Sequence, residues 1–328
     1  MYDFLSLGDV SQDTFLDLNE ADIHCALQKE KCELCLRYAD KIPVANLTFT
    51  IGGNAGNNAV GLSRLGFKTA WLGMLGHDDI ARHILKTLSS EDVSRRYAKK
   101  DKSHNSNYST ILNYQTERTI LVYHQKFHYS LPSFFPKTFW VYLTSLGPNF
   151  EPLYPKLLKK LSKKKFRLAF NPGTHQFKMD KKLMSAFLAL TDILFVNREE
   201  AEILFGAPGQ SHDIAEVKTL IDGATEAGVK VVVITDGQKG AYAGSEGKYW
   251  FMPLVPGKRV EATGAGDSFA SGFLGAYTQG HKISDCLRWG ATNAASVVAQ
   301  IGPLAGLLTE EQMKHHLEKF SHFIAQEI

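Results

Sequence analysis

The 328-residue chain is poor in cysteine, in net charge and in long apolar runs, and each shortage closes off a class of protein. Four cysteines in this length do not make a disulfide framework, and they fit a reducing, cytoplasmic setting. His24-Cys25 and Cys32-x-x-Cys35 have no second ligand pair at a finger-like distance, so they read as strand cysteines packed as small hydrophobes. A net charge of +3 is too small to make nucleic acid the main partner. No apolar run reaches membrane-spanning length, and Met1-Tyr2-Asp3 opens without the basic and apolar regions of a signal peptide, so no membrane partner is expected. No Gly-Lys-Ser or Gly-Lys-Thr occurs, which excludes a P-loop. What remains is an ordinary globular composition, 44% hydrophobic and 22% charged, with chain enough for a large core.

Against these absences stands one stretch, Val260 to Phe269, where Thr263-Gly264-Ala265-Gly266-Asp267 leads into a small-residue helical pattern from Ser268 to Tyr277. The first N–H groups of a helix lack internal partners and carry the positive end of its dipole. Two glycines clear the way for an anion to reach them. A carboxylate at such a place is repelled by a bound phosphate, unless it takes a proton from a hydroxyl that attacks that phosphate. The competing reading makes Asp267 a favoured first-turn residue and nothing more. The stretch alone leaves the two readings even.

Elsewhere the chain alternates strands and helices. Tyr2–Leu7 reads as a buried parallel strand that delivers Asp9 and Asp13 to its C-terminal edge, where open α/β sheets bind ligands. Thr14–Leu18, Cys32–Tyr38 and Ala45–Thr50 read as antiparallel strands of a small appended sheet, joined by a hairpin over 107–124 with a polar tip at Gln115-Thr116-Glu117-Arg118. Gly52-Gly53-Asn54-Ala55-Gly56-Asn57-Asn58 is a glycine turn opening a helix that Gly66 stops, and its spacing is not that of a dinucleotide fingerprint. One of its three asparagines is explained as a cap; paired donors and acceptors for a hydroxyl-rich ligand account for the others. Strands are expected at Thr69–Leu75, Phe139–Leu143, Phe166–Phe170, Asp192–Val196 and Val229–Thr235, and helices at 78–88, Leu153–Lys165, Ile283–Val298 and Thr309–Ile324. Lys159, Lys160, Lys163, Lys164 and Lys165 read as a solvated helix face, since no aromatic is interleaved for nucleic acid. The order predicts a twisted, mostly parallel sheet with helices on both faces.

Three motifs in sequence, Gly52-Gly53-x-x-Gly56-Asn57, Asn197-x-x-Glu200 and Gly264-Ala265-Gly266-Asp267, resemble those of the ribokinase-like carbohydrate kinases, the PfkB family. The resemblance covers essentially the whole chain. It implies an α/β fold of three αβα layers, 1–328 as one kinase domain, with 14–50 and 105–125 as a small β lid. By the same match Asp267 is the base that deprotonates the acceptor hydroxyl, and Gly264, Ala265 and Gly266 form an anion hole. Asp13 and Asn57 hold sugar hydroxyls beside Gly52 and Gly53. Glu200, with Asn197, orients Mg2+ and its waters. Thr235, Gly237 and Gly240 line the ATP, and Asn293 lies near the base. A homodimer through the lid is a further expectation. Relatives carry Asp-Thr-Thr where this chain has Glu261-Ala262-Thr263, and that aspartate helps hold a monovalent cation. Glutamate is one methylene longer, so only weak dependence on K+ is expected.

Two other functions compete. A non-catalytic ligand sensor on the same fold would lose the base or the glycines, and Asp267, Gly264 and Gly266 are all present. An NAD-dependent oxidoreductase fails on glycine spacing. Among kinases the acceptor stays open: a ribose- or fructose-type sugar, a nucleoside, or a sugar phosphate. A phosphorylated acceptor needs basic residues, with Arg95-Arg96, Lys99-Lys100 and Arg118 as candidates; a purine needs an aromatic platform, with Phe15, Phe49, Tyr123 and Phe127 as candidates.

Overall fold

Burial along Tyr2–Leu7 deepens to complete over its last four residues, with Leu5 and Leu7 entering one core and Phe4 entering another. Successive side chains of a strand point to opposite faces, so this strand lies between two apolar layers. The computed structural model describes residues 1–25, 32–115, 117–163, 166–206 and 214–328. In chain order the first half comprises β1 (Tyr2–Leu7), β2 (Ser11–Leu18), β3 (Asp22–Cys25), β4 (Cys32–Cys35), β5 (Val44–Gly52), α1 (Asn54–Arg64), β6 (Thr69–Leu75), α2 (Asp79–Ser90), β7 (Ser94–Lys100), β8 (Tyr108–Tyr114), β9 (Glu117–Tyr123) and β10 (Thr138–Leu143). The second half comprises α3 (Tyr154–Leu161), β11 (Arg167–Phe170), α4 (Lys181–Leu188), β12 (Ile193–Asn197), α5 (Arg198–Phe205), α6 (Ile214–Glu226), β13 (Val231–Thr235), β14 (Ala241–Ser245), β15 (Lys248–Met252), α7 (Ala265–Thr278), α8 (Ile283–Val298), α9 (Glu310–Lys319) and β16 (Gln326–Glu327).

The large sheet runs β16-β15-β14-β13-β12-β11-β10-β1-β6-β7. It is parallel from β13 through β7 and antiparallel only over β13 to β16. On one face Phe4, Trp140 and Tyr142 pack with Phe269, Phe273 and Leu274 of α7 and with Leu287 of α8. On the other, Leu5, Val141 and Leu143 pack with Leu157 of α3, Phe187 of α4 and Val217 of α6. The fold is therefore α/β, with helices on both faces of a mostly parallel sheet. Small residues let α7 and α8 approach closely: a Cβ on Gly272 would stand 2.7 Å from the Trp289 carbonyl oxygen.

A separate sheet runs β5-β2-β8-β9. Direct partners share a face, so Asp13, Ser109 and Val122 line up on one side, and Phe49, Thr14, Thr110 and Leu121 on the other. This sheet departs from the sequence expectation in two respects. β2 pairs with β8 in parallel, and Cys32–Cys35 lies outside the sheet, in a two-stranded ribbon with Asp22–Cys25. Cys32 is exposed and disulfide-bonded, so it is neither a thiol nor a packed small hydrophobe.

Other differences are local. The basic segment around Arg95 is an edge strand, β7, because Ala98 packs beneath it while Arg95 and Arg96 face solvent. The last helix stops at Lys319, where Phe320 leaves helical geometry, and the chain then returns to the sheet edge. The expected helix Leu153–Lys165 ends at Leu161, with Lys164 and Lys165 outside the described residues, as is Thr116 of the hairpin tip.

Candidate active site

The site forms where the strand ends of the large sheet face the small one, and α7 is its centre. The N-cap of α7, Gly264, adopts φ +79, and among the described residues no side chain caps the helix. A Cβ on Gly264 would meet Pro303 at 2.4 Å, so glycine is demanded there by backbone and neighbour alike. Gly266 differs: it has ordinary helical geometry, and no described neighbour stands within 4 Å of where its Cβ would be. The space before the first turn is open, as an anion bound to uncapped N–H groups requires.

Asp267 lies in that first turn but does not cap it. Its Oδ2 accepts a hydrogen bond from Asn57 Nδ2 at 2.8 Å, across from α1. Burial raises its pKa to about 7; the Asn57 bond opposes this, and the charges of Glu200 and Asp13 add to it. A buried carboxylate with the pKa of a neutral-pH base, beside an open anion cradle, is not explained by helix capping.

On one side of Asp267 opens a cavity of about 540 Å³, lined by Asp9, Asp13, Gly53, Asn57, Asn107, Ser109, His124, His175, Glu200 and Gly264 among others. Asp13 Oδ1 accepts from Ser11 Oγ at 2.8 Å, and burial raises this carboxyl to about 6. Gly52 does not line the cavity; a Cβ there would lie 1.8 Å from Asp13 Oδ2, so the room left by the bare glycine is taken by the carboxylate. Asp9 accepts from Tyr129 OH at 2.7 Å and from the Gly147 amide at 2.8 Å, and burial raises it to about 6. Its Oδ1 has no partner among the described residues, nor has Asn57 Oδ1. Both are buried acceptors of residues that line the cavity, left without a partner there.

On the other side, a cavity of about 240 Å³ bounded by Asn54, Asn171, Asn197, Glu200, Thr235, Gly264 and Gly266 leads toward the sheet edge. Asn197 caps α5: its Oδ1 accepts from the Glu200 amide, and Glu200 Oε2 accepts from the Asn197 amide, both at 2.8 Å. This capping box holds the Glu200 carboxyl at the cavity wall, where burial raises its pKa. Beyond it, Thr235, Gly237, Gly240, Ala265 and Gly266 border an apolar slot of about 180 Å³ together with Ala291, Ala294, Ala295 and Val298 of α8.

Asn293 is not in that slot. It is fully buried, donates to the Ser268 carbonyl oxygen at 2.9 Å and accepts from the Leu308 amide at 3.0 Å, tying α7 to α8 and to the following loop. The residues of α8 that border the slot are the alanines beside it, Ala291, Ala294 and Ala295. Asn107, Ser109, His124, Asn171 and His175 were not singled out from sequence, although Asn171 follows the C-terminal end of β11, where the sheet-edge rule points. Arg95 donates to the Leu85 carbonyl oxygen and Lys99 to Ser130 and Leu131, so neither enters the cavity. Phe15 and Phe127 are buried, Phe49 and Tyr123 are exposed, and none of the four lines it.

The relatives define the class: the chain is a kinase for a carbohydrate or nucleoside. Residues 18–310 match the pfkB family of carbohydrate kinases, and the chain belongs to that family. It is 26% identical to a nucleoside kinase of Methanocaldococcus jannaschii over 85% of this chain and 92% of the relative. It is 32% identical to a cytidine kinase of Thermococcus kodakarensis, but over only 49% of this chain and 58% of the relative. Its fold resembles that of Arabidopsis thaliana ribokinase complexed with ribose and ATP, with a TM-score of 0.76 to 0.78 spanning this structure and that of the M. jannaschii enzyme, and coverage of 97% of this chain and 99% of each in both cases. At 18% and 21% identity these structural likenesses show the fold alone.

Proposed function

We propose that the enzyme transfers the γ-phosphoryl group of ATP to a hydroxyl of an unphosphorylated sugar or nucleoside, with Asp267 as general base. One observation carries this reading: Asp267 is a buried carboxylate at the wall shared by the polar cavity and the open N-terminus of α7. The acceptor hydroxyl gives its proton to Asp267, its oxygen bonds to the γ-phosphorus, and the bond to the β–γ bridging oxygen breaks to release ADP. The uncapped N–H groups of α7 stabilise charge on the transferring group. Asp13, Asn57 and Asp9 hold other hydroxyls and fix the orientation of the acceptor.

Glu200, held at the cavity wall by its capping box with Asn197, is an oxygen donor that suits Mg2+ and its waters. Mg2+ would neutralise phosphate charge there. The acceptor is proposed to be unphosphorylated because the described residues lining the 540 Å³ cavity include no Lys or Arg. Residues 14–50 and 105–125 act as the lid, since Ser109, Ile120 and Val122 close the cavity from the small sheet. The opposite side of that sheet exposes Leu47, Phe49, Leu121 and Tyr123, which supports a homodimer through the lid.

The test is ADP release with ATP and Mg2+ over a panel of sugars, nucleosides and their phosphates. Turnover with a neutral polyol or nucleoside is expected. Turnover confined to phosphorylated acceptors would overturn the assignment.

A further inference from the structure

At the base of the small sheet, away from the cavities above, Asp101, His104 and His128 bring three potential ligand atoms within 4.8 Å of one another. Asp101 and His104 belong to the connection that enters β8, and His128 belongs to the connection that leaves β9. We propose that these residues form a zinc site clasping the two ends of the β8–β9 hairpin.

The geometry supplies the reason. His104 Nδ1 is 3.0 Å and His128 Nδ1 is 3.2 Å from Asp101 Oδ2. A tetrahedral zinc with bonds of about 2.0–2.1 Å sets its ligand atoms roughly 3.3 Å apart, close to the spacing of Asp101 Oδ2 from each imidazole. Two imidazoles and a carboxylate also match a borderline dication, whereas Mg2+ and Ca2+ prefer oxygen alone. Without metal, these contacts place a proton on each Nδ1; zinc bound there takes the neutral tautomer, with the proton on Nε2 and the Nδ1 lone pair on the metal.

The surroundings hold the ligands in place. Ser103 donates from its amide and hydroxyl to Asp101 Oδ1, which fixes the carboxylate and leaves Oδ2 for the histidines. The Asp101 amide donates to the Leu75 carbonyl oxygen at 2.8 Å, anchoring the ligand to the end of β6. The His104 ring meets buried Phe127 edge-on at 6.0 Å, so its orientation is set by packing. His128 is 77% exposed and gives the ion a path in, and water completes the coordination. Because ligands lie on both sides of the hairpin, bound zinc ties its two ends together and restrains its swing.

The full chain, dialysed against chelator, is titrated with Zn2+ alone and the bound metal counted after gel filtration. Wild type is expected to retain one zinc per chain, His128→Ala and His104→Ala to lose it, and Co2+ to give visible ligand-field bands in wild type only. Zn2+ alone is also expected to slow proteolysis between residues 101 and 128 in wild type and not in His128→Ala. His128 is exposed, so that variant tests the site even if His104→Ala does not fold. No retained zinc in wild type, or equal zinc in wild type and His128→Ala, overturns the proposal. Neither result bears on whether the enzyme is a kinase, because no nucleotide or acceptor is present.

Discussion

Asn57 and Asp267, 210 residues apart in the chain, meet through a 2.8 Å hydrogen bond between the first turns of α1 and α7. The bond aims the carboxylate without neutralising it, since Asn57 donates a proton that it does not give up. Asp267→Asn keeps the size of the side chain and removes the base. Turnover is expected to fall by about a hundred- to ten-thousand-fold, with ATP binding retained. A folded variant with near-normal turnover would falsify the mechanism.

The same variant tests the buried charge through pH. Asp267, Asp13 and Asp9 are raised in the fold to about 7, 6 and 6. Raised carboxyls favour the protonated fold, so the stability they confer is full below about pH 4 and is lost as pH rises through 6 to 7. His124 and His316, lowered by burial, act in the opposite direction, and comparing wild type with Asp267→Asn at each pH cancels them. The Asn variant is expected to melt above wild type at pH 8, with the gap shrinking toward pH 5. A gap that does not change with pH would show that Asp267 is not held raised. For wild type, kcat/KM should fall as pH drops through about 7.

Gly264 and Gly266 are expected to separate folding from function. Gly264→Ala forces a side chain into φ +79 and against Pro303, so its Tm should drop. Gly266→Ala meets no atom within 4 Å, and alanine in a helix stabilises by about 0.5–1 kcal/mol. Its Tm should hold or rise while turnover falls on the order of a hundredfold, as the methyl enters the anion's space. Full activity in Gly266→Ala would place the phosphoryl group elsewhere.

Arg118 on β9 lies 3.6 Å from Glu261 in the loop before α7. Glu261 Oε1 also accepts from the Thr263 amide at 2.7 Å, while its buried Oε2 has no partner among the described residues. A guanidinium beside this acid reduces the need for a mobile cation. Rates in K+ and in a bulky organic cation at equal ionic strength are expected to agree within a few-fold in order of magnitude. Many-fold activation by K+ would count against it. Arg118→Ala should lower kcat and increase the response to K+.

The lid is checked by proteolysis. Cleavage within 14–50 and 105–125 should slow when acceptor binds, because Asp13 and Ser109 then hold it from the small sheet. Unchanged cleavage in both segments would argue against closure.

Most of the large sheet was legible, because parallel strands buried on both faces leave unbroken apolar runs such as Val231–Ile234. β7 was not: an edge strand with one solvated face reads as a charged connection, as Arg95-Arg96 does. Motif residues at helix starts, Asn57, Glu200 and Asp267, could be read because glycines and caps mark such places. Asn107, His124 and His175 carry no local mark; only the crossing of the two sheets brings them to the cavity. The partners of Asn293 carry no mark either, since an amide on a helix beside an apolar slot can equally well turn inward and bond the backbone.

Gly52 and Asp13 share one volume, with 1.8 Å between a would-be Cβ and the carboxylate oxygen. Neither position can drift by itself. A side chain at 52 evicts the aspartate, and loss of the aspartate frees 52 to accept one. Across diverging relatives the two sites should therefore change together, and a chain with alanine at 52 would announce a rebuilt acceptor pocket before any substrate was tried.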